Sequence, residues 1–124
     1  MPSTKSVSGA HTSGVSLWNA HEHKKSILDG LKIDNQSIYD EKIEVIDCFA
    51  TDAAKTAAAG ATQAAEDFRT VTSGKVRFQM TVPTGEFQSL GPDDLKEETF
   101  LGTVYVRGST NSPDCVVVAS YRLL

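Results

Sequence analysis

Lys75-Val76-Arg77-Phe78-Gln79-Met80-Thr81-Val82 alternates without a fault. Val76, Phe78, Met80 and Val82 fall on one side, and Lys75, Arg77, Gln79 and Thr81 on the other. That period of two belongs to a half-buried strand. Ser73-Gly74 precedes the run and Pro83 closes it, since proline has no N–H to give to a ladder. A strand with one apolar face needs hydrogen-bonding neighbours and a layer over that face, so the scaffold is a sheet.

Two further strands are predicted downstream. Phe100 to Arg107 sets Val104 and Val106 on one side and Leu101 and Tyr105 on the other. Cys115 to Leu124 is apolar on both faces around Val116, Val117 and Val118, the pattern of a strand inside a sheet rather than at its edge. Gly108 to Asp114 reads as the polar turn between them. Gly85, Gly91 and Pro92 mark a longer connection in which Pro92-Asp93-Asp94-Leu95 starts a short helical turn. Upstream, Lys42 to Ala50 is enriched in β-branched residues and reads as a strand, with Asp47 on the same side as Ile43, Val45 and Phe49.

Two segments carry a helical period. Leu17, His21, Lys25, Leu28 and Leu31 recur at steps of three and four, with Ser16 placed to cap the start and Gly30 to end the run. Thr51 or Asp52 can cap a second helix, predicted through Thr70, whose Ala53, Ala57, Gly60, Ala61, Ala64 and Phe68 form a stripe of mostly small side chains. Residues 1–15 are dominated by Ser, Thr and Gly, and predict an arm that is flexible or exchanged with a neighbouring subunit. The expected fold class is α+β: an antiparallel sheet of about four strands with two helices packed on one face, in a single domain over residues 16–124.

The 124 residues are enough for one core without staples, and 40% hydrophobic with 23% charged residues is the composition of a folded domain. A net charge of -4 argues against holding a phosphate backbone, so no nucleic acid is expected. No apolar run reaches the ~20 residues that span a bilayer, so no membrane partner is expected. The absence of a signal-peptide pattern points to the cytoplasm. In that reducing compartment Cys48 and Cys115 are expected as free thiols. Asn35-Gln36-Ser37 matches a glycosylation acceptor that matters only in a secreted chain.

Candidate chemistry is sparse. His21 and His23 flank Glu22 and are candidate binding residues, yet on a helix they point about 200° apart and do not share a metal, so no metal is expected. Asp93, Asp94, Glu97 and Glu98 read as acids favoured at a helix start, not as a cation loop. Asp47, among apolar neighbours at a strand end, is the candidate acid or base of a small pocket enzyme or ligand carrier, with Tyr105, Tyr121 or His21 orienting the ligand. No dinucleotide, P-loop, hydrolase-elbow or paired C-x-x-C motif occurs, and no cofactor is expected. The leading expectation is therefore a non-enzymatic binding or self-assembly subunit, such as a viral or phage structural protein. Its partner would be a copy of itself or another protein.

Overall fold

The computed structural model describes residues 3–10, 12, 14–19, 25–57 and 75–123. Nine strands run in the order β1 (Ser3–Ala10), β2 (Val15–Asn19), β3 (Ser26–Asn35), β4 (Glu41–Asp47), β5 (Lys75–Val82), β6 (Phe87–Leu90), β7 (Thr99–Phe100), β8 (Thr103–Arg107) and β9 (Ser112–Leu123). Among the described residues, two short helices, α1 (Asp52–Ala57) and α2 (Pro92–Leu95), interrupt them. One antiparallel sheet has the order β1-β9-β3-β6, with β7 also paired to β3, and the other has the order β2-β8-β4-β5. Each sheet draws alternately on distant parts of the chain, and every described pairing is antiparallel. Leaving aside the two-residue β7, the four-strand orders β1-β9-β3-β6 and β2-β8-β4-β5 have the interleaving of a jelly roll.

The core lies between the sheets. Leu28, Leu31, Ile33, Val117 and Ala119 from the first sheet meet Ile43, Val45, Val104 and Val106 from the second, and all are fully buried. Each large aliphatic side chain buried this way contributes about 1.5–3 kcal/mol. Trp18 closes one side: it stacks on Tyr121 with ring centroids 4.3 Å apart, meets Phe100 edge-on at 5.7 Å, and donates from Nε1 to Ser26 Oγ at 2.8 Å. An apolar indole with a satisfied N–H thereby ties β2 to the opposite sheet.

Sheets cover sheets, and the helices expected on one face are replaced in this role. The stretch expected as a helix over residues 16–30 contains β2 and the first half of β3. Its helical spacing has a local cause. Leu28 pairs with Tyr121 and Gly30 with Ser120, so Asp29 has no opposite number on β9. This bulge brings Leu28 and Leu31, three residues apart, onto the buried face, which imitates a helix period. The displaced Asp29 pairs with Arg122 at 2.6 and 3.1 Å. Of the second expected helix, α1 is present, with Ala54 N donating to Thr51 Oγ1 at 3.1 Å; residues 58–74 lie outside the described residues.

Within the expected arm, residues Ser3–Ala10 form β1, matched to β9 from Ser3 opposite Tyr121 to Ala10 opposite Ser112. A backbone ladder does not need apolar side chains, which is why a Ser-rich segment can hold a strand here. β9 lies between β1 and β3, the interior place its two apolar faces predicted, and β5 covers the predicted residues Lys75–Val82. No described helix is long and apolar enough to cross a membrane.

The strand directions put the β1–β2, β3–β4, β5–β6 and β8–β9 connections at one end of the sandwich, here the upper end. The C-terminal end of β4 and both ends of the chain lie at the lower one. Asn35 organises the upper end. Its Nδ2 donates to Tyr39 O and Val82 O, both at 2.8 Å, and its Oδ1 accepts Ser37 N at 3.1 Å and Ser37 Oγ at 2.6 Å. The amide is thus saturated, and with no exposed surface it offers nothing to a glycosyl donor. Asn35→Ala should cost about 2–4 kcal/mol, since each buried partner left unmade costs about 1–3; urea unfolding should show a lower midpoint at unchanged slope.

Candidate functional site

β4 ends on Asp47, and the lower end is organised around its carboxylate. Oδ2 accepts Arg77 Nε and Leu101 N, both at 2.7 Å, and Oδ1 accepts Phe49 N and Gly102 N, both at 3.1 Å. A carboxylate has about four lone-pair directions, and here all of them are occupied. Asp47 has no exposed surface. The donors come from three segments, two of them remote in sequence, so one side chain fixes the chain after β4, the strand β5 and the gap between β7 and β8.

Arg77 reaches Asp47 through a break in alternation. Val45 pairs with Phe78 but Ile46 pairs with Val76, leaving Arg77 as the extra residue of a bulge. A bulge re-aims its side chain. The guanidinium meets Asp47 and also donates from Nη2 to Phe49 O at 2.9 Å and Ala50 O at 3.3 Å. With its side chain 11% exposed, this is a nearly dry ion pair whose Nη2 is used on carbonyls.

Gly102 makes the close approach possible. A Cβ there would lie 2.4 Å from Phe49 Cδ2 and 2.6 Å from Cys48 Sγ, well inside contact distance. Cys48 N donates to Thr103 O at 3.1 Å, and Cys48 Sγ accepts Thr103 N at 3.2 Å. Cys48, Phe49 and Leu101 then form a second small apolar cluster below the main core. On α1, burial lowers the pKa of Lys55, against the opposing pull of Asp47, Asp52 and Cys48.

At the upper end, Glu41 is fully buried and accepts Thr110 N at 2.8 Å and the Thr110 hydroxyl, so the β8–β9 turn is tied to the start of β4. Cys115 is buried nearby; burial, then the charges of Glu41 and Asp34, push its thiol up to about 11. The same end carries three exposed large apolar side chains: Ile38 at 82%, Tyr39 at 53% and Phe87 at 56% exposure. Their loops are held firmly. Asn35 N donates to Glu86 O at 3.0 Å, Gly85 N to Asn35 O at 2.8 Å, and Thr84 N to Asp40 Oδ1 at 3.0 Å.

The expected site residues are dispersed. Tyr105 is buried on β8 opposite Ile46, one step along the ladder from Asp47, which faces Val104. Tyr121 is on the other sheet, stacked on Trp18. His21 and His23 lie outside the described residues. As found, the Asp47 carboxylate has no lone pair free for proton transfer. A surface cleft of about 180 Å³ is lined by Val76, Arg77, Phe78 and Gln79 on β5 and does not include Asp47. The acids after Pro92 behave as a helix start: Asp94 Oδ2 accepts Gly91 N at 3.0 Å.

No protein-family model and no curated protein matches the chain. Among solved structures, one from the disulfide-linked pili formed by Bacillus endospore appendages aligns over 100% of this chain and 88% of its own, with TM-score 0.51 and 12% identity. That likeness is one of fold. The SPBc2 prophage-derived protein YomS aligns over 98% of this chain and 93% of its own, with TM-score 0.31 and 13% identity.

Sequence inspection missed Arg77, whose place in an alternating run assigned it to the solvent side, and the amides of residues 101–102, which carry no side-chain signal. It missed the upper apolar group for want of any motif, although Ile38-Tyr39 between polar residues was a visible anomaly.

Four outcomes follow from this geometry. Arg77→Met should destabilise the fold by about 3–5 kcal/mol in urea titrations, because it strands a buried carboxylate. Gly102→Ala should cost about 1–3 kcal/mol through overpacking against Phe49. Both cysteines are free and buried, so a thiol reagent at pH 8 should label neither in the native chain and both after denaturation. The Cys115 thiol stays protonated in the fold while it ionises in the unfolded chain, so stability should fall as pH rises from 9.0 to about 11. Thermal melts across that range should show the fall, and Cys115→Ala should reduce it.

Proposed function

We propose that this chain is a non-enzymatic self-assembly subunit, built to contact copies of itself through one end of the sandwich and its N-terminal strand. The carrying observation is the exposed group of Ile38 and Tyr39 in the β3–β4 loop and Phe87 at the start of β6, held by hydrogen bonds through the adjoining turns. Scattered single apolar residues are ordinary, but large ones gathered on one rigid end favour a protein contact. Rigidity lowers the ordering cost that association would otherwise meet. Tyr and Phe suit such a role, since they cover much area with few rotatable bonds.

Further support comes from the fold. A solved structure from disulfide-linked pili resembles this fold, so the architecture is compatible with assembly, and with a place in a viral or phage particle. The covalent linkage of those pili has no ready counterpart here, because Cys48 and Cys115 are both buried. Assembly by this chain is non-covalent. The saturated Asp47 carboxylate belongs to the scaffold in this reading.

Light scattering of the full chain over a hundredfold range of concentration tests the proposal. A defined oligomer that persists at micromolar concentration is expected; a monomer throughout would overturn it.

A further inference from the structure

We propose that two copies of this chain exchange β1 reciprocally, each strand filling the β9 edge of the other copy while the upper ends of the two sandwiches abut. The inference rests on the assembly reading and specifies its partner and geometry.

β1 is the outermost strand of its sheet and pairs with β9 alone. Its sequence, Ser3-Thr4-Lys5-Ser6-Val7-Ser8-Gly9-Ala10, has few apolar residues, and the attachment the structure describes is its backbone ladder to β9. A second copy offers that ladder in the identical register, from Ser3 opposite Tyr121 to Ala10 opposite Ser112. Exchange therefore preserves every pairing. The uncovered β9 cannot be left bare, because its middle is Val116-Val117-Val118-Ala119 and its edge amides would face solvent beside them. A replacement must be an extended, small-residue strand, which residues 3–10 of another copy supply.

The connection sets how the copies must sit. Ala10 and Val15 both lie at the upper end, and the chain between them, fully extended, spans at most ~18 Å. Gly14 at φ 83° lies in the left-handed region that glycine enters without cost, while Thr12 N donates to Asn111 Oδ1 at 2.9 Å. A β1 that leaves its own β9 can reach only a β9 whose Ser112 end is close by, which is also an upper end. Upper end then faces upper end. That is where Ile38, Tyr39 and Phe87 are exposed, so the short hinge and the apolar group, two independent features, select the same contact. An open chain of exchanges would crowd three upper ends at each junction, whereas a closed two-fold pair brings together only two.

Ser6 lies opposite Val118, and directly opposed residues of an antiparallel pair have a Cα separation that a disulfide can bridge. The Ser6→Cys/Val118→Cys double variant, purified reduced, weighed by light scattering and then oxidised, is expected to be a dimer. On a non-reducing denaturing gel it should run mainly as a covalent dimer, with wild type alongside as the control for Cys48 and Cys115. A dimer in solution that gives only a disulfide-closed monomer on the gel would overturn exchange while leaving assembly standing. A covalent ladder beyond two would overturn the closed pair. A monomer in solution would overturn the assembly reading itself. Independently of whether that variant folds, Ile38→Ser/Phe87→Ser changes only exposed side chains and should weaken dimerisation about tenfold or more; an unchanged dissociation constant would overturn the end-to-end geometry.

Discussion

The buried carboxylate of Asp47 is the constraint on which the lower half of the molecule depends. An ionised group without solvent must be met by donors on every side, and this chain meets it with a guanidinium and three backbone amides. The consequences spread through three elements. β7 stops at Phe100 and β8 starts at Thr103 because Leu101 and Gly102 turn their N–H groups to Asp47 instead of to a neighbouring strand. β5 bulges at Arg77, and residue 102 must be glycine because Phe49 and Cys48 fill the space beside it.

The two ends of the sandwich solve the problem of joining strands differently. Among the described residues, the lower end uses charge, with the Asp47 carboxylate taken up by donors from within the fold. The upper end uses neutral donors around Asn35 and a short-range bond set around Glu41, and it leaves apolar side chains in water. The division has a functional sense. A contact surface works best on a rigid base, and both polar nodes lie immediately behind the loops that carry Ile38, Tyr39 and Phe87.

How much was legible from residues alone differs element by element. β5 and β9 were readable to their ends or to their place in the sheet, because unbroken alternation and a two-faced apolar run have few other physical meanings. β4 was readable from its β-branched content. β3 was misread because the bulge at Asp29 imposes a three-residue step on a strand, and no local property of Ile27-Leu28-Asp29-Gly30 distinguishes that step from a helix turn. β1 was invisible, since its stability lies in a ladder offered by residues more than a hundred positions away. Asp47 was legible as an oddity among apolar neighbours, but its four donors were not.

By itself the sequence determined that the stretch from Lys75 onward is mostly strand and that a carboxylate sits in apolar company. These follow from composition and from periods set within a few residues. Only the tertiary structure decided that the strands divide into two facing sheets, that the carboxylate is a fully occupied clamp, and that three apolar side chains gather on one end. Pairing partners, bulges and the convergence of loops are properties of distance in space, and a linear pattern does not encode which distant segment supplies the missing hydrogen bonds.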